Sequence, residues 1–413
     1  MKHEIIPAAA VVILGLAVFS GAIQTSDEAA LEAKARDIHT RILSVDTHCD
    51  TAGGLLRPGW DIGVRHEPGK RENGQIDLPR MKEGCLDALF FGVFTGQGPL
   101  TEAGYANAKS RALAELDAID AMTVKYTGLI GKATTPADAA RLKKEGKRAA
   151  FIGIENGYPI GQDLAMVKTL AERGARYITL CHSSDNQICD SGTERRNPED
   201  KGLSDFGKSV VAECNRLGIM IDVSHMSDRS FADVLKATKA PVLATHSCCR
   251  ALCDSPRNLT DDMIKGLAAN GGVIQMCFLS SYLVSTPPNP ERDKAMAALT
   301  EKYGSFETMD PAKRAEAGAA RREIMSKYPD PMARVKDIVD HIDHVVKLVG
   351  IDYVGIGTDF DGGGGVEDCN DVSRMYRVTM ELLRRGYTEA QIAKIWGGNT
   401  MRILQKVIDA SSK

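Results

Sequence analysis

Short, apolar, β-rich runs recur eight times along the chain, at residues 42–46, 88–94, 150–154, 177–181, 219–223, 242–245, 272–278 and 353–357. Helix-like segments separate them, at 105–125, 136–144, 163–173, 208–217, 228–237, 261–269 and 333–349. Strand–helix alternation of this kind calls for a parallel sheet covered by helices. Eight such units predict an α/β fold in which the sheet closes into a (β/α)8 TIM barrel. An open, doubly wound sheet is the alternative. No GxGxxG follows a strand, which removes the commonest cofactor-binding version of that topology.

Residues 280–332 insert a polar, Pro- and Lys-rich stretch between the seventh and eighth runs. It holds a helical piece over 311–327 and is expected to form a lid or side wall. Thr388 with Gln391 makes a capping-box pattern that opens a C-terminal helix. No shift in composition marks a second domain, so residues 23–413 read as a single barrel.

The 413 residues are 43% hydrophobic and 26% charged, enough apolar material for a large core. That balance excludes a disordered chain, a collagen or a coiled-coil rod. The formal charge is −3 and no basic tract occurs, so a nucleic-acid partner has no electrostatic support. Residues 5–23 carry no charge and include Ser20-Gly21-Ala22, small residues suited to cleavage. They predict a secretory signal peptide over 1–22 and export to the periplasm or the exterior. An uncleaved membrane anchor is the alternative, and membrane association would run through this segment alone. Ten cysteines are too few for a disulfide scaffold of this length, and none forms a CxxC pair of pairs. Small buried hydrophobe is their expected role.

The unusual residues fall where the predicted strands end. The first ends Val45-Asp46-Thr47-His48-Cys49-Asp50, the third Ile154-Glu155-Asn156, and the fourth Leu180-Cys181-His182. The fifth ends Asp222-Val223-Ser224-His225, the sixth Ala244-Thr245-His246, and the eighth Gly357-Thr358-Asp359-Phe360-Asp361. Barrel active sites are built at that C-terminal face. His48 and Asp50 are two apart on a strand, so both point to one face, here the barrel mouth. Glu155, His225 and His246 arrive from other strands.

A lone strand-end His is usually a hydrogen-bonded structural residue. Several such residues together would each cost free energy if buried without a partner. Three His and two carboxylates exceed one tetrahedral zinc and suit two metals sharing a bridging carboxylate. Asp46 lies one step deeper and reads as structural support. Asp361 reads as a cap on the glycine loop 362–365. Glu367 and Asp368 follow that loop at once and argue against phosphate binding. His39, His66, His341 and His344 read as surface or helix residues.

The ordered set VDTHCDT (45–51), GIENG (153–157), YITLCHSSDN (177–186), GLSDFGKSVVAECNRLGIMIDVSHMSD (202–228), PVLATHS (241–247), RNLTDDMIK (257–265), VGIGTDFDG (354–362) and GGNTMRIL (397–404) resembles a known family. It is similar to the zinc membrane (renal-type) dipeptidases, peptidase family M19, within the amidohydrolase-like metal barrels. The resemblance implies two Zn2+ per chain. One would be held by His48, Asp50 and Glu155, and the other by Glu155, His225 and His246, with Glu155 as the bridge. No Lys sits at a strand end, which agrees with a glutamate rather than a carboxylated lysine in that place.

His182, Arg257 and Asp359 match the family's substrate and catalytic positions. The implied reaction is hydrolysis of a dipeptide by a hydroxide shared between the metals. Asp359 would move the proton, His182 would help stabilise the oxyanion, and Arg257 would clamp the free C-terminal carboxylate. The same site could meet another amide, a lactone, an ester or a phosphotriester. A secreted metal- or solute-binding protein without turnover is the third possibility, but it needs neither His182 nor Asp359. A homodimer is typical of the family. The insertion at 280–332 is its least familiar part and the region where substrate preference is most open.

Overall fold

The computed structural model describes residues 27–194, 199–304 and 311–411; the apolar segment at 5–23 and the expected cleavage site lie outside them. Nine strands occur among the described residues: β1 (Val45–Cys49), β2 (Ala88–Phe94), β3 (Ile130–Lys132), β4 (Arg148–Glu155), β5 (Ala175–Thr179), β6 (Met220–Asp222), β7 (Leu243–Ser247), β8 (Val273–Met276) and β9 (Val354–Ile356). All strand pairs are parallel, in the order β1-β2-β4-β5-β6-β7-β8-β9, with β3 beside β4 off that path. Just beyond β9 the chain returns to β1. Asp359 N donates to His48 O at 3.1 Å and Asp50 N donates to Phe360 O at 2.9 Å. Those bonds close the eight-stranded path into a barrel.

The strands are apolar along their length because both faces are covered, as parallel sheets require. Residues Ala149–Ile154 of β4 are buried without a break, and Glu155 follows at the mouth. Local signals start the covering helices. Thr101, Ser204, Ser227 and Thr260 each accept a backbone N–H as the N-cap of Glu102–Lys125, Asp205–Leu217, Asp228–Ala237 and Asp261–Ala269. Such a cap is worth about 1 kcal/mol. Thr388 and Gln391 form a reciprocal capping box. No helix among the described residues is long and apolar enough to cross a membrane. None of the ten cysteines is in a disulfide, and all but Cys85 are buried.

Some boundaries differ from expectation. The run predicted at 42–46 is a strand at Val45–Cys49. Polar residues that look like a strand's end belong to it, because the barrel interior offers them partners: Thr47 Oγ1 donates to Thr245 O at 2.7 Å and to Ile356 O at 3.1 Å. β3 has no counterpart among the expected runs. Between β8 and β9 lie helices Ser280–Leu283, Pro290–Tyr303 and Pro311–Lys327, before helix Val335–Val349 resumes the alternation.

Candidate metal and substrate site

Glu155 is the centre of the mouth. It ends β4, is 2% exposed, and its two oxygens face different groups. Oε2 lies 3.5 Å from His48 Nε2, which in turn lies 3.6 Å from Asp50 Oδ1. Oε1 lies 3.2 Å from His225 Nε2, 3.5 Å from His246 Nε2 and 3.7 Å from His182 Nε2. The His225 and His246 Nε2 atoms are 2.9 Å apart. Asp359 Oδ1 is 3.9 Å from His48 Nε2, on the closing side. The structure thus gathers six of the site residues expected from the sequence, His48, Asp50, His182, His225, His246 and Asp359, around the Glu155 carboxylate. Among the described residues, three groups could hold an ion: His48, Asp50 and Glu155; Glu155, His182 and His225; His48, His246 and Asp359.

The donor set fits a cation. His48 Nε2, Asp50 Oδ1 and Glu155 Oε2 are buried and have no hydrogen-bond partner, yet they converge. Buried polar atoms are rarely left unpaired, because each costs about 1–3 kcal/mol. Burial pushes the Glu155 carboxyl well above the ordinary range, with Asp50 adding to the rise. Asp359 is raised by the same cause. A bound cation inverts that logic and favours the carboxylates.

Local backbone shape serves the cluster. His225, Asp359, Asp361 and Asn156 have φ of 71°, 59°, 68° and 73°. Left-handed conformations cost a non-glycine residue about 1–3 kcal/mol and collect at functional sites. Gly92 on β2 leaves room for the His48 ring: a Cβ there would stand 3.1 Å from His48 Cε1 and 3.0 Å from Cys49 O.

A supporting layer fixes the ring orientations. Tyr177 Oη on β5 lies 2.8 Å from His48 Nδ1. Thr245 Oγ1 donates to Asp222 Oδ2 at 2.7 Å and lies 2.8 Å from His246 Nδ1. With its own proton committed to Asp222, Thr245 accepts from Nδ1 and leaves the His246 Nε2 lone pair free. Sequence reasoning gave Tyr177 and Asp222 no role. An Asp placed two or three residues before a strand-end His, as in Asp46…His48 and Asp222…His225, is the signal that could have found Asp222.

Asp46 does lie deeper, where it accepts from His48 N at 3.2 Å, Thr358 N at 2.8 Å and Thr358 Oγ1 at 2.6 Å. Asp361 does not cap the glycine loop. It accepts from Thr51 Oγ1 at 2.6 Å and Gln75 N at 2.7 Å, while Asp359 O receives the N–H groups of Gly362, Gly363 and Gly364. The main chain caps that loop because its sharp turn brings three N–H groups onto one carbonyl. His39, His66, His341 and His344 lie outside the mouth, and His39 and His341 are buried.

His182 is partly exposed beside Phe94. Burial, then the charge of Arg257, hold its ring down to about 4, so it is neutral near pH 7. Ser183 Oγ lies 2.9 Å from Nδ1. When that hydroxyl donates, the ring proton resides on Nε2, facing the cluster.

Arg257 sits on the His225–His246 side and is 4% exposed rather than at the surface. Its Nη2 donates to His246 O at 3.2 Å, its guanidinium lies 5.3 Å from the Tyr282 ring centre, and its Nε is buried without a partner. Asp50 also borders a cavity of about 610 Å3 that Thr51 and the loop 361–364 help to line.

The chain is similar to known proteins over most of its length. A dipeptidase of Claviceps purpurea, tcpJ, is 29% identical over 365 residues, covering 87% of this chain and 76% of that protein. The crystal structure of the probable dipeptidase PvdM from Pseudomonas aeruginosa superimposes with a TM-score of 0.81 at 31% identity, over 92% of this chain and 99% of that one. A Rhodobacter sphaeroides metallopeptidase, solved with a phosphinate mimic of the dipeptide L-Ala-D-Ala, does so with a TM-score of 0.71 at 25% identity, over 89% and 99%. The family model for membrane dipeptidases matches residues 32–413. This chain belongs to the membrane dipeptidase family, peptidase family M19.

Proposed function

We propose that the protein is a metal-dependent dipeptidase that holds two zinc ions and hydrolyses dipeptides bearing a free C-terminal carboxylate. The observation that carries this reading is the division of Glu155: one oxygen faces His48 and Asp50, the other faces His225 and His246. His48, Asp50 and Glu155 would hold one ion, and Glu155, His225 and His246 the second. When bound, the ions supply a Lewis acid for the scissile carbonyl and a water of lowered pKa.

The chain's own residues do the rest. Arg257 receives the terminal carboxylate, because its guanidinium is buried and its Nε has no partner within the chain. The scissile carbonyl then lies over Glu155. His182, kept neutral, donates its Nε2 proton to the oxygen on which charge develops. Asp359 accepts the proton of the attacking water at a carboxylate oxygen and delivers it to the leaving amine. Strain at Asp359 (φ 59°) holds that carboxylate over the His48 side.

The test uses zinc-loaded protein against L,L- and L,D-dipeptides and the matching dipeptide amides. Free dipeptides should turn over and the amides should be poor substrates. Equal cleavage of the amides would remove the carboxylate clamp and the exodipeptidase reading. The exported, signal-cleaved form is part of the same proposal, and N-terminal sequencing near Ile23 checks it.

A further inference from the structure

The cavity on the Asp50 side contains a charge pattern that catalysis does not use. The short helix Thr51–Gly54 follows Asp50 directly, and its last two residues are glycines. A Cβ on Gly53 would meet Arg111 Nη2 at 3.3 Å, and one on Gly54 would meet Arg57 Nη2 at 3.1 Å. The two missing side chains let two guanidinium groups lie against the helix at the cavity wall. Lys70 adds a third cation to the lining.

The lining also holds Asp50, Asp361 and Asp371, so formal charge balances. The acids are committed, however. Asp361 is bonded to Thr51 and Gln75, Asp371 to Arg80 and Ser373, and Asp50 belongs to the group that would hold a metal ion. The cations retain donors. Arg57 donates Nη1 to the Glu72 carbonyl at 3.1 Å, and Arg111 donates Nε to Glu115 Oε1 at 2.6 Å. Among the described residues, neither Arg57 nor Lys70 has a carboxylate within ion-pair distance.

Position decides what could use those donors. Arg257 donates to the carbonyl of His246, whose ring faces Glu155 Oε1, whereas the cavity is lined by Asp50, whose neighbour His48 faces Glu155 Oε2. A dipeptide whose carboxylate is on Arg257 and whose carbonyl is over Glu155 extends its amino-terminal residue towards the cavity. Its volume, about 610 Å3, exceeds what one side chain needs and lies in the range of small-molecule sites. We infer that the cavity is a specificity subsite in which Arg57 and Arg111, with Lys70 at the rim, receive an acidic side chain on the amino-terminal residue of the substrate. The inference rests on the dipeptidase reading and adds the substrate class to it.

The test compares kcat/KM of the full, zinc-loaded chain for L-Glu-L-Ala, its neutral near-isostere L-Gln-L-Ala, and L-Lys-L-Ala. The Glu peptide should be preferred over the Gln peptide by at least about fivefold at low salt, the scale of one partly exposed charge pair. Lys should be the poorest, and the preference should shrink at high ionic strength. In R57Q/R111Q the Glu/Gln ratio should fall to near unity. Should that variant lose all turnover, R57Q alone leaves the Arg111–Glu115 pair intact and should lower the ratio at least about twofold. A ratio near unity in the parent, or one that survives in both variants, overturns the subsite while leaving the dipeptidase reading in place. No turnover of any of the three peptides removes both.

Discussion

Asp46 and Glu155 are both buried acids on barrel strands, and they differ in company. Asp46, on β1, accepts three hydrogen bonds from His48 N and Thr358. Asp222, at the end of β6, is treated the same way by Thr179, Ser224 and Thr245. One layer higher, Glu155 Oε2, Asp50 Oδ1 and His48 Nε2 are buried with no hydrogen-bond partner. The lower layer ties strands to one another and is complete as the chain folds. The upper layer is incomplete without something that accepts lone pairs from carboxylate and imidazole together. Polar satisfaction, rather than burial or residue type, separates the acids that hold the barrel from those that hold a ligand.

The contrast breaks most visibly at Glu155. Replacing it with Gln should remove both ions and lower kcat/KM on the order of 10^4-fold or more. The metal-free variant should be at least as stable as the metal-free parent, since the lost group is a carboxylate raised by burial. A metal-free E155Q that melts well below the metal-free parent would place Glu155 in the structural layer instead.

Arg257 and Asp359 sharpen the upper layer further. Arg257→Met should act mainly through KM, costing about 2–4 kcal/mol in kcat/KM, because its contact exists in ground and transition states alike. Asp359→Asn keeps the shape but cannot take a proton, so kcat should fall at least about 100-fold with zinc retained. Steady-state kinetics with parallel zinc determination separates the two. A pure KM effect at Asp359 would contradict its role.

His39 extends the satisfied class outside the barrel. It is 2% exposed and lies between Cys85 O and Thr379 Oγ1, and burial holds its ring down to about 4. The folded value lies below the ordinary 6.5, so between pH 6.5 and about 4 the unfolded chain gains a proton that the native state refuses. Stability should therefore fall as pH drops through that window, by about 3 kcal/mol in total. His39→Gln should flatten that part of the pH–stability curve by a similar amount. An unchanged slope would show that His39 is protonated in the fold.

The smallest effect is expected in the lower layer. Asp46→Ala leaves the N–H groups of His48 and Thr358 without their acceptor and should cost about 2 kcal/mol of unfolding free energy. Zinc content should stay at the parental level. Loss of zinc without loss of stability would reverse the assignment of the two layers.

How far the sequence revealed this molecule depends on the range of the interactions. The barrel was legible because apolar runs alternating with helical segments are local signals, and Thr388 and Gln391 form the capping box that their spacing predicts. The gathering of His48, Asp50, Glu155, His182, His225, His246 and Asp359 was legible because all follow apolar runs that end at the barrel's C-terminal face. The first strand was misplaced because Thr47 and His48 are stabilised by partners about 200 and 130 residues away, which no local pattern shows. Asp361 was misread for the same reason: its partners Thr51 and Gln75 come from the far side of the chain. β3, only three residues long, gives too short a run to distinguish from a loop.

Elemental analysis of the purified, undialysed protein, alongside His48→Ala and His225→Ala, tests the division of Glu155 most directly. Two zinc ions per chain are expected in the parent, with each histidine variant weakening one ion and sparing the other. A parental content of one ion, or both ions lost together and equally from either variant, would contradict a carboxylate shared between two distinct sites.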